Sequence, residues 1–378
     1  MMPPIETDGP QPYHGSMNEG GVPSKRSCGN QGDALRVEME RVTDGRLDRI
    51  VISHCCGDAI EKYREWPSPT VIISDGPYGV SGYNGDLHSE NGLDKWYEPH
   101  IEKWTNASTP LTSLWFWNSE VGWATVHPVL VKHGWEYKAC NIWDKGMGHV
   151  AGNCNTKTIR NLPVVSEVCV HYVKRASFEI DGMPATMQEW LIHEWKRSEI
   201  PFKQANEACG VVDAATRKWM GKDRLWYMPP SDAFQKLAAY ANENGREDGR
   251  PYFSIDGVAP LTGEEWSKMR AKFYCPLGKT NVWSLPQLKG EERLKEGGKV
   301  VHNNQKPLCL IKDIISMCSD AGDVVWDPFG GLATAAIASI DMGRSCYSSE
   351  IDTDMFRVGR GRIASHIKEP RQFSLGDF

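Results

Sequence analysis

The segment Ser74-Asp75-Gly76-Pro77-Tyr78-Gly79 carries the residue types needed to hold and activate a conjugated amine. An amino group on an aromatic ring is a weak nucleophile because its lone pair is delocalised into the ring. Hydrogen bonds taken from both of its hydrogens favour a tetrahedral nitrogen and free that lone pair. The Asp75 carboxylate is one candidate acceptor, and the Gly76 backbone carbonyl is the other. Pro77 fixes φ and stiffens the turn, while Tyr78 gives a flat face on which a ring can stack. Asp75, Gly76, Pro77 and Tyr78 are therefore the candidate catalytic residues. Taken alone, the same composition makes an ordinary turn after a strand.

A second constellation, Asp327-Pro328-Phe329-Gly330-Gly331-Leu332-Ala333-Thr334, joins a short apolar run to a helix of small residues opening near Ala335. Glycines let the backbone come close to a ligand. The N-terminus of the following helix offers free N–H groups and positive potential, which suits a carboxylate such as that of a methionine moiety. Glu350, ending the next apolar run, can accept both hydroxyls of a ribose, and Asp58 is placed to accept from an adenine amino group. There is no G-x-G-x-x-G and no Gly-Lys-Ser/Thr here, which excludes the dinucleotide fingerprint and the P-loop. An ordinary strand–helix turn is the alternative.

Four β-prone runs must position these groups, and each leads to an acidic residue. They are residues 49–56 before Asp58, 70–74 before Asp75, 324–326 before Asp327 and 345–349 before Glu350. Continuous apolar strands alternating with helical stretches predict an α/β fold with a doubly wound parallel sheet. In such sheets ligands bind beyond the carboxyl ends of the strands, so the four carboxylates should share one edge. The simpler alternative is that each caps the helix after it. Residues 111–117, 137–143 and 164–173 also read as strands. Residues 176–299 turn helical, Trp-bearing and mixed in charge, and are read as a recognition region inserted between two parts of one catalytic domain, 34–175 and 300–378. Residues 1–33, rich in Pro, Gly, Ser and Asn, read as a disordered tail.

These segments carry a family resemblance. Asp75-Gly76-Pro77-Tyr78 resembles the D-P-P-Y motif of amino-methylating DNA methyltransferases. Asp327 to Thr334 resembles their D-P-F-x-G-x-G-T cofactor turn, His302-Asn303-Asn304-Gln305-Lys306-Pro307 their H-P-x-Q-K-P segment, and Gly57-Asp58 the G-D ahead of the catalytic motif. The catalytic motif precedes the cofactor turn, as in the β class of that family, in which the recognition region lies between the two. The resemblance covers residues 50–175 and 300–365. It implies a Rossmann-like sheet and S-adenosylmethionine as cofactor, held by Asp58, Asp327, Phe329, Gly330, Gly331, Thr334, Glu350, Asn304 and Lys306. It also implies transfer to an exocyclic amino group of a flipped base in double-stranded DNA. In the family, Asp at the first motif position leans toward adenine N6 and Ser toward cytosine N4, so Asp75 favours adenine and leaves cytosine N4 as the alternative. A restriction-modification setting is expected, with a cognate endonuclease acting separately and the chain a monomer or homodimer. The further alternatives are an RNA or protein-amide methyltransferase and an inactive DNA-binding homologue. The sequence departs from the family pattern at Gly76, Asn303, Leu332 and Ala333.

Within 176–299, Phe202 to Cys209 reads as a helix ended by Gly210, and Asp213 can cap a second helix through Trp219. The pair resembles a helix-turn-helix, with a plain helical hairpin as the alternative. Arg217 and Lys218 are candidate DNA contacts, as are Asn153, Lys157 and Arg160, with Trp143 beside them lining the cleft. The net charge of −6 argues against a nucleic-acid binder. The lysines and arginines of residues 266–307 answer that objection by segregating positive charge. The 11 cysteines form no C-x-x-C pair and suggest reduced thiols. His54, Cys55 and Cys56 alternate across a strand and cannot converge, so no metal site is expected. With no signal-peptide core and no membrane-spanning apolar run, a cytoplasmic protein is expected.

Overall fold

The structure, a computed structural model, describes residues 34–43, 46–80, 89–150, 160–221, 226–288, 292–301 and 304–368. The tail read at 1–33 and the candidates Asn153 and Lys157 lie outside these residues.

The chain opens on an antiparallel hairpin of β1 (Ala34–Thr43) and β2 (Arg46–Cys56), followed by α1 (Ala59–Lys62) and β3 (Val71–Ser74). Then come α2 (Leu93–Ala107), β4 (Ser113–Asn118), α3 (Glu120–Lys132), β5 (Trp135–Asp144) and β6 (Ser166–Lys174). A small hairpin, β7 (Phe178–Ile180) with β8 (Met183–Ala185), leads into α4 (Met187–Arg197), α5 (Phe202–Cys209), α6 (Ser231–Asn244) and α7 (Gly263–Ser267). After β9 (Val282–Ser284) and the two-residue strands β10 (Lys295–Glu296) and β11 (Lys299–Val300) follow α8 (Leu308–Cys318), β12 (Val324–Asp327), α9 (Thr334–Met342), β13 (Ser345–Glu350) and α10 (Thr353–Lys368).

Among the described residues nine strands form one sheet, in the order β1-β2-β13-β12-β3-β4-β6-β5-β9. From β2 to β4 every neighbouring pair is parallel, while β1 and β6 run antiparallel to their neighbours. Every residue of β3 and β4 is buried, as parallel strands covered on both faces require. The parallel run explains why the apolar segments lacked alternation. β9 lies within the stretch read as the inserted region but pairs with β5 in this main sheet.

Residues 176–266 build a core of their own around Trp190, Trp195, Phe234 and Trp266, in which Phe234 and Trp266 stack at 4.2 Å. Capping boxes start two of its helices, Thr186 with Glu189 at α4 and Thr262 with Glu265 at α7. Glu194, fully buried, accepts from Arg197 Nη2 at 2.8 Å, Arg250 Nη2 at 2.7 Å and the Phe253 amide at 2.8 Å.

Several expectations are corrected. α5 ends at Gly210 (φ +66°), but the second helix is a single π-helical turn, Ala215–Trp219, too short for a recognition helix. Asn206 caps it rather than Asp213: Asn206 Oδ1 accepts from the amides of Ala215 and Thr216, while Asp213 pairs with Arg217 at 2.9 Å. Lys218 sits 5.5 Å from the Tyr227 ring centre. Trp143 is buried and donates to the Leu285 carbonyl, so it belongs to the core and not to a cleft wall. In the basic stretch, Lys268, Lys272 and Lys279 pair with Glu264, Asp320 and Asp313, which neutralises much of its excess. Cys55, Cys140, Cys169, Cys209, Cys275, Cys309, Cys318 and Cys346 are free thiols. Among the described residues no helix is long and apolar enough to cross a membrane.

Candidate active site

The strand order places β2, β13, β12 and β3 side by side and parallel, so the carboxyl groups that follow them lie on one sheet edge. Their local roles differ. Asp58 is exposed and caps α1, its Oδ1 accepting from the Ile60 amide at 2.9 Å, so the capping alternative applies to it. Glu350 accepts from the Gly331 amide through Oε2 and from the Asp352 amide through Oε1, both at 2.7 Å. Burial raises its carboxyl above the usual range. Asp327 is buried without a cation partner among the described residues. Burial, with the charges of Asp75 and Glu350 adding, pushes it up to about 8.

Between β12 and α9 the backbone turns sharply. The Gly330 amide donates to the Ser349 carbonyl and the Ala333 amide to the Gly330 carbonyl, both at 2.7 Å. Ala333 stands at φ +59°, a left-handed conformation usually left to glycine, which places strain at the position where the family pattern has Gly. The helix α10 clamps this turn. Arg362 Nη1 donates to the Leu332 carbonyl and to Thr334 Oγ1, both at 3.0 Å. Thr334 is thus engaged with α10. A Cβ on Gly359 would stand 3.0 Å from both the Gly331 carbonyl and His54 Nε2, so a side chain there would push the helix and the turn apart by a few tenths of an ångström. Beneath the turn, His54 bonds Ser348 at 2.8 Å and stacks on Phe356; burial lowers its pKa to about 4 and keeps it neutral.

The segment after β3 meets this turn through Phe329. A Cβ on Gly76 would lie 2.7 Å from both the Phe329 ring and the Tyr97 hydroxyl, which accounts for glycine where the related motif has proline. Phe329 in turn packs edge-on against His100 and Tyr97. The Pro77 carbonyl accepts from Tyr97 and Asn118, both at 3.0 Å, and pins the segment. No described residue donates a hydrogen bond to the Gly76 carbonyl.

Asp75 Oδ1 accepts from Lys306 Nζ at 2.7 Å and from the Tyr78 hydroxyl at 3.0 Å, while no hydrogen bond from a described residue reaches Oδ2. The same two groups contact Glu167 Oε2, Tyr78 at 3.1 Å and Lys306 at 3.3 Å. Glu167 Oε1 accepts from Lys145 at 2.5 Å. Burial works against both charges, yet the opposite charges outweigh it: Glu167 is held below the usual range by Lys306 and Lys145, and Lys306 above its own by Asp75 and Glu167. Burial and the two carboxylates raise the Tyr78 phenol, so it stays protonated.

Lys306, assigned with the cofactor residues, therefore sits on the Asp75 side of the site, and Asn304 lies half-buried in the turn before it. Arg160, Arg217 and Lys218 are exposed. Sequence reading missed Glu167, Lys145, Tyr97 and Asn118. A signal existed for Glu167, the lone acid in the apolar run 164–173, because a buried charge requires a partner.

Residues 70–360 match the DNA methylase family of N6/N4 methyltransferases, and the chain belongs to that family. The Type II methyltransferase M.HinfI of Haemophilus influenzae is 34% identical over 96 residues, 25% of this chain and 27% of that protein. The DNA adenine methyltransferase YhdJ of Escherichia coli K12 is 36% identical over 88 residues, 23% and 29% of the two chains. The chain thus spans less than a third of the curated relatives it matches. Among solved structures, the cytosine-N4-specific PvuII DNA methyltransferase aligns with a TM-score of 0.46 at 12% identity, over 83% of this chain and 90% of that one. M1.HpyAVI in its SAM complex aligns with a TM-score of 0.44 at 16% identity, over 82% and 98%.

Proposed function

We propose that this protein transfers the methyl group of S-adenosylmethionine to an exocyclic amino group of a base taken out of duplex DNA. The observation that carries the reading is Asp75, whose Oδ1 is held by Lys306 and Tyr78 while Oδ2 and the neighbouring Gly76 carbonyl take no hydrogen bond from a described residue. Two acceptors on consecutive residues match the two hydrogens of one amino group. Membership of the DNA methylase family supports DNA as the substrate.

The sheet edge suits the cofactor. Three carboxyl groups, Asp75, Asp327 and Glu350, interact there, and the raised Asp327 fits a cationic ligand that restores its ionised form. When bound, S-adenosylmethionine supplies an electrophilic methyl group on a positively charged sulfur. Asp327, Phe329, Gly330, Gly331 and Glu350 would hold it, with Asp58 and Asn304 at the margins. Asp75 and Gly76 orient the amino group by accepting its hydrogens. The Tyr78 ring supports the base. Asp75 Oδ2, to which no described residue donates, would take the proton that the alkylated nitrogen sheds.

Adenine N6 is placed ahead of cytosine N4, because Asp75 rather than a serine opens the motif. Residues 34–175 with 300–378 are proposed as the catalytic part and 176–299 as the target-recognition part, its core within 176–266. Arg160, Arg217 and Lys218, with Asn153 and Lys157, are proposed DNA contacts. A cytoplasmic restriction-modification enzyme with a separate endonuclease is the setting this reading favours.

The test is incorporation of labelled methyl groups offered duplex DNA, RNA and protein in parallel. Label is expected in DNA, with a loss of at least about a hundredfold in Asp75→Ala, the scale of a lost acid-base group. Label in RNA or protein alone, or in none, defeats the reading. Nucleoside analysis of the labelled DNA separates N6-methyladenine from N4-methylcytosine.

A further inference from the structure

We infer that Glu167 is a positioning residue for methyl transfer, which acts through Lys306 and Tyr78 to hold Asp75 in one orientation. The inference rests on the reading of Asp75 as acceptor for the target amino group and concerns what keeps that acceptor aimed.

Four polar atoms close a ring: Asp75 Oδ1, Tyr78 Oη, Glu167 Oε2 and Lys306 Nζ, with sides of 3.0, 3.1, 3.3 and 2.7 Å. The ring fixes the rotation of the Asp75 carboxylate, and with it the direction of Oδ2. Asp75 alone cannot do this, since a single contact to Lys306 leaves the carboxylate free to swing or to accept the ammonium with both oxygens. A phenol has one proton and cannot donate to two carboxylates at once. Its place between them is kept because Lys306, which also spans both, offsets their repulsion.

Glu167 is itself anchored. Across the β5–β6 pair it stands opposite Trp143, and Lys145, two residues on, reaches its other oxygen. Each of its oxygens thus has a separate task, Oε1 toward Lys145 and Oε2 toward the ring. Asp75, Glu167, Lys306 and Lys145 form a charge-balanced quartet, with the last three buried. Taking such charges out of water is costly, and apolar residues of equal volume often hold a fold as well or better. A quartet that brings no clear gain in stability yet meets the candidate catalytic carboxylate at one atom is best explained by what it does to that carboxylate.

The test compares Glu167→Gln, Lys145→Met, the double variant and Glu167→Asp in the full chain. Four quantities are read: thermal midpoint, S-adenosylmethionine affinity, DNA affinity, and the single-turnover rate from the preformed ternary complex. Each neutralising single variant should lower the midpoint by unbalancing the buried quartet, Glu167→Gln by leaving Lys145 without its carboxylate and Lys145→Met by leaving two carboxylates to one ammonium, and the double should recover most of it. The rate should not recover: the double is expected to stay at least about tenfold slow, with both affinities within about threefold of the starting protein. Glu167→Asp keeps the charge but shortens the reach, so it should be slow while folded, which covers failure of the double variant to fold. A double variant or Glu167→Asp with the original rate overturns the inference, as does a rate loss matched by weaker binding. These results are distinct from failure of the functional reading, in which the unaltered protein transfers no label to DNA.

Discussion

At the scale of single residues, a carboxyl group buried beside two other carboxyl groups is costly to ionise, and this is the situation of Asp327. Its rise from 3.8 to about 8 comes first from burial and then from the charges of Asp75 and Glu350. An acid with a higher pKa folded than unfolded takes up a proton on folding. Its ionisation therefore costs stability that is intact below pH 3.8 and declines as pH rises toward 8. A cationic ligand reverses this by favouring the carboxylate. Binding of S-adenosylmethionine at pH 7 should then release a proton from Asp327, and the release should fade above about pH 9, where the group is already ionised. Calorimetry in buffers of different ionisation heat measures it. Asp327→Asn should show only the proton exchange of the cofactor's own amine. Equal release in both proteins would remove Asp327 from the cofactor site.

At the scale of elements, the glycine turn is held from both sides, by Glu350 at the end of β13 and by Arg362 on α10. Arg362 is buried enough that desolvation lowers its pKa, and the acceptors it meets among the described residues, the Leu332 carbonyl and Thr334 Oγ1, both belong to the turn region. Arg362→Met keeps the apolar stem and removes both hydrogen bonds. With charge-assisted bonds contributing roughly 1.5–3 kcal/mol each, cofactor affinity should fall at least about tenfold while DNA affinity is unchanged. Titration of the variant with each ligand decides it, and an unaltered cofactor affinity would show that the turn holds its shape without α10.

At the scale of the whole molecule, residues 176–266 have a core separate from those of the main sheet. Glu194 is its electrostatic centre, taking two guanidinium groups and one backbone amide. Glu194→Ala leaves the buried Phe253 amide without its acceptor and takes one carboxylate from Arg250 and from Arg197, which keeps Asp248 and the Pro251 carbonyl, a loss of about 1–3 kcal/mol. If the region folds on this core, the variant should lose DNA binding yet keep S-adenosylmethionine binding, as read by calorimetry. Simultaneous loss of both would mean that the two cores unfold as one unit.

The sequence by itself determined the parallel sheet, its acidic strand ends and the two motif turns. All are local: an apolar run, a terminal carboxylate and a Gly/Pro turn lie within a few residues of one another. It did not determine that Lys306 would reach Asp75, 231 positions away. Nor did it reveal Glu167, on a strand read only as apolar, Lys145 just past the end of β5, or Asn206 as the cap of the π-helical turn. Those pairings depend on strand order and on which face of a strand meets which helix, and neither is encoded in any short segment. The same holds for Gly76. Its departure from the family motif has no local reason, and the tertiary structure supplies one, because Phe329 and the Tyr97 hydroxyl occupy the space a Cβ would need.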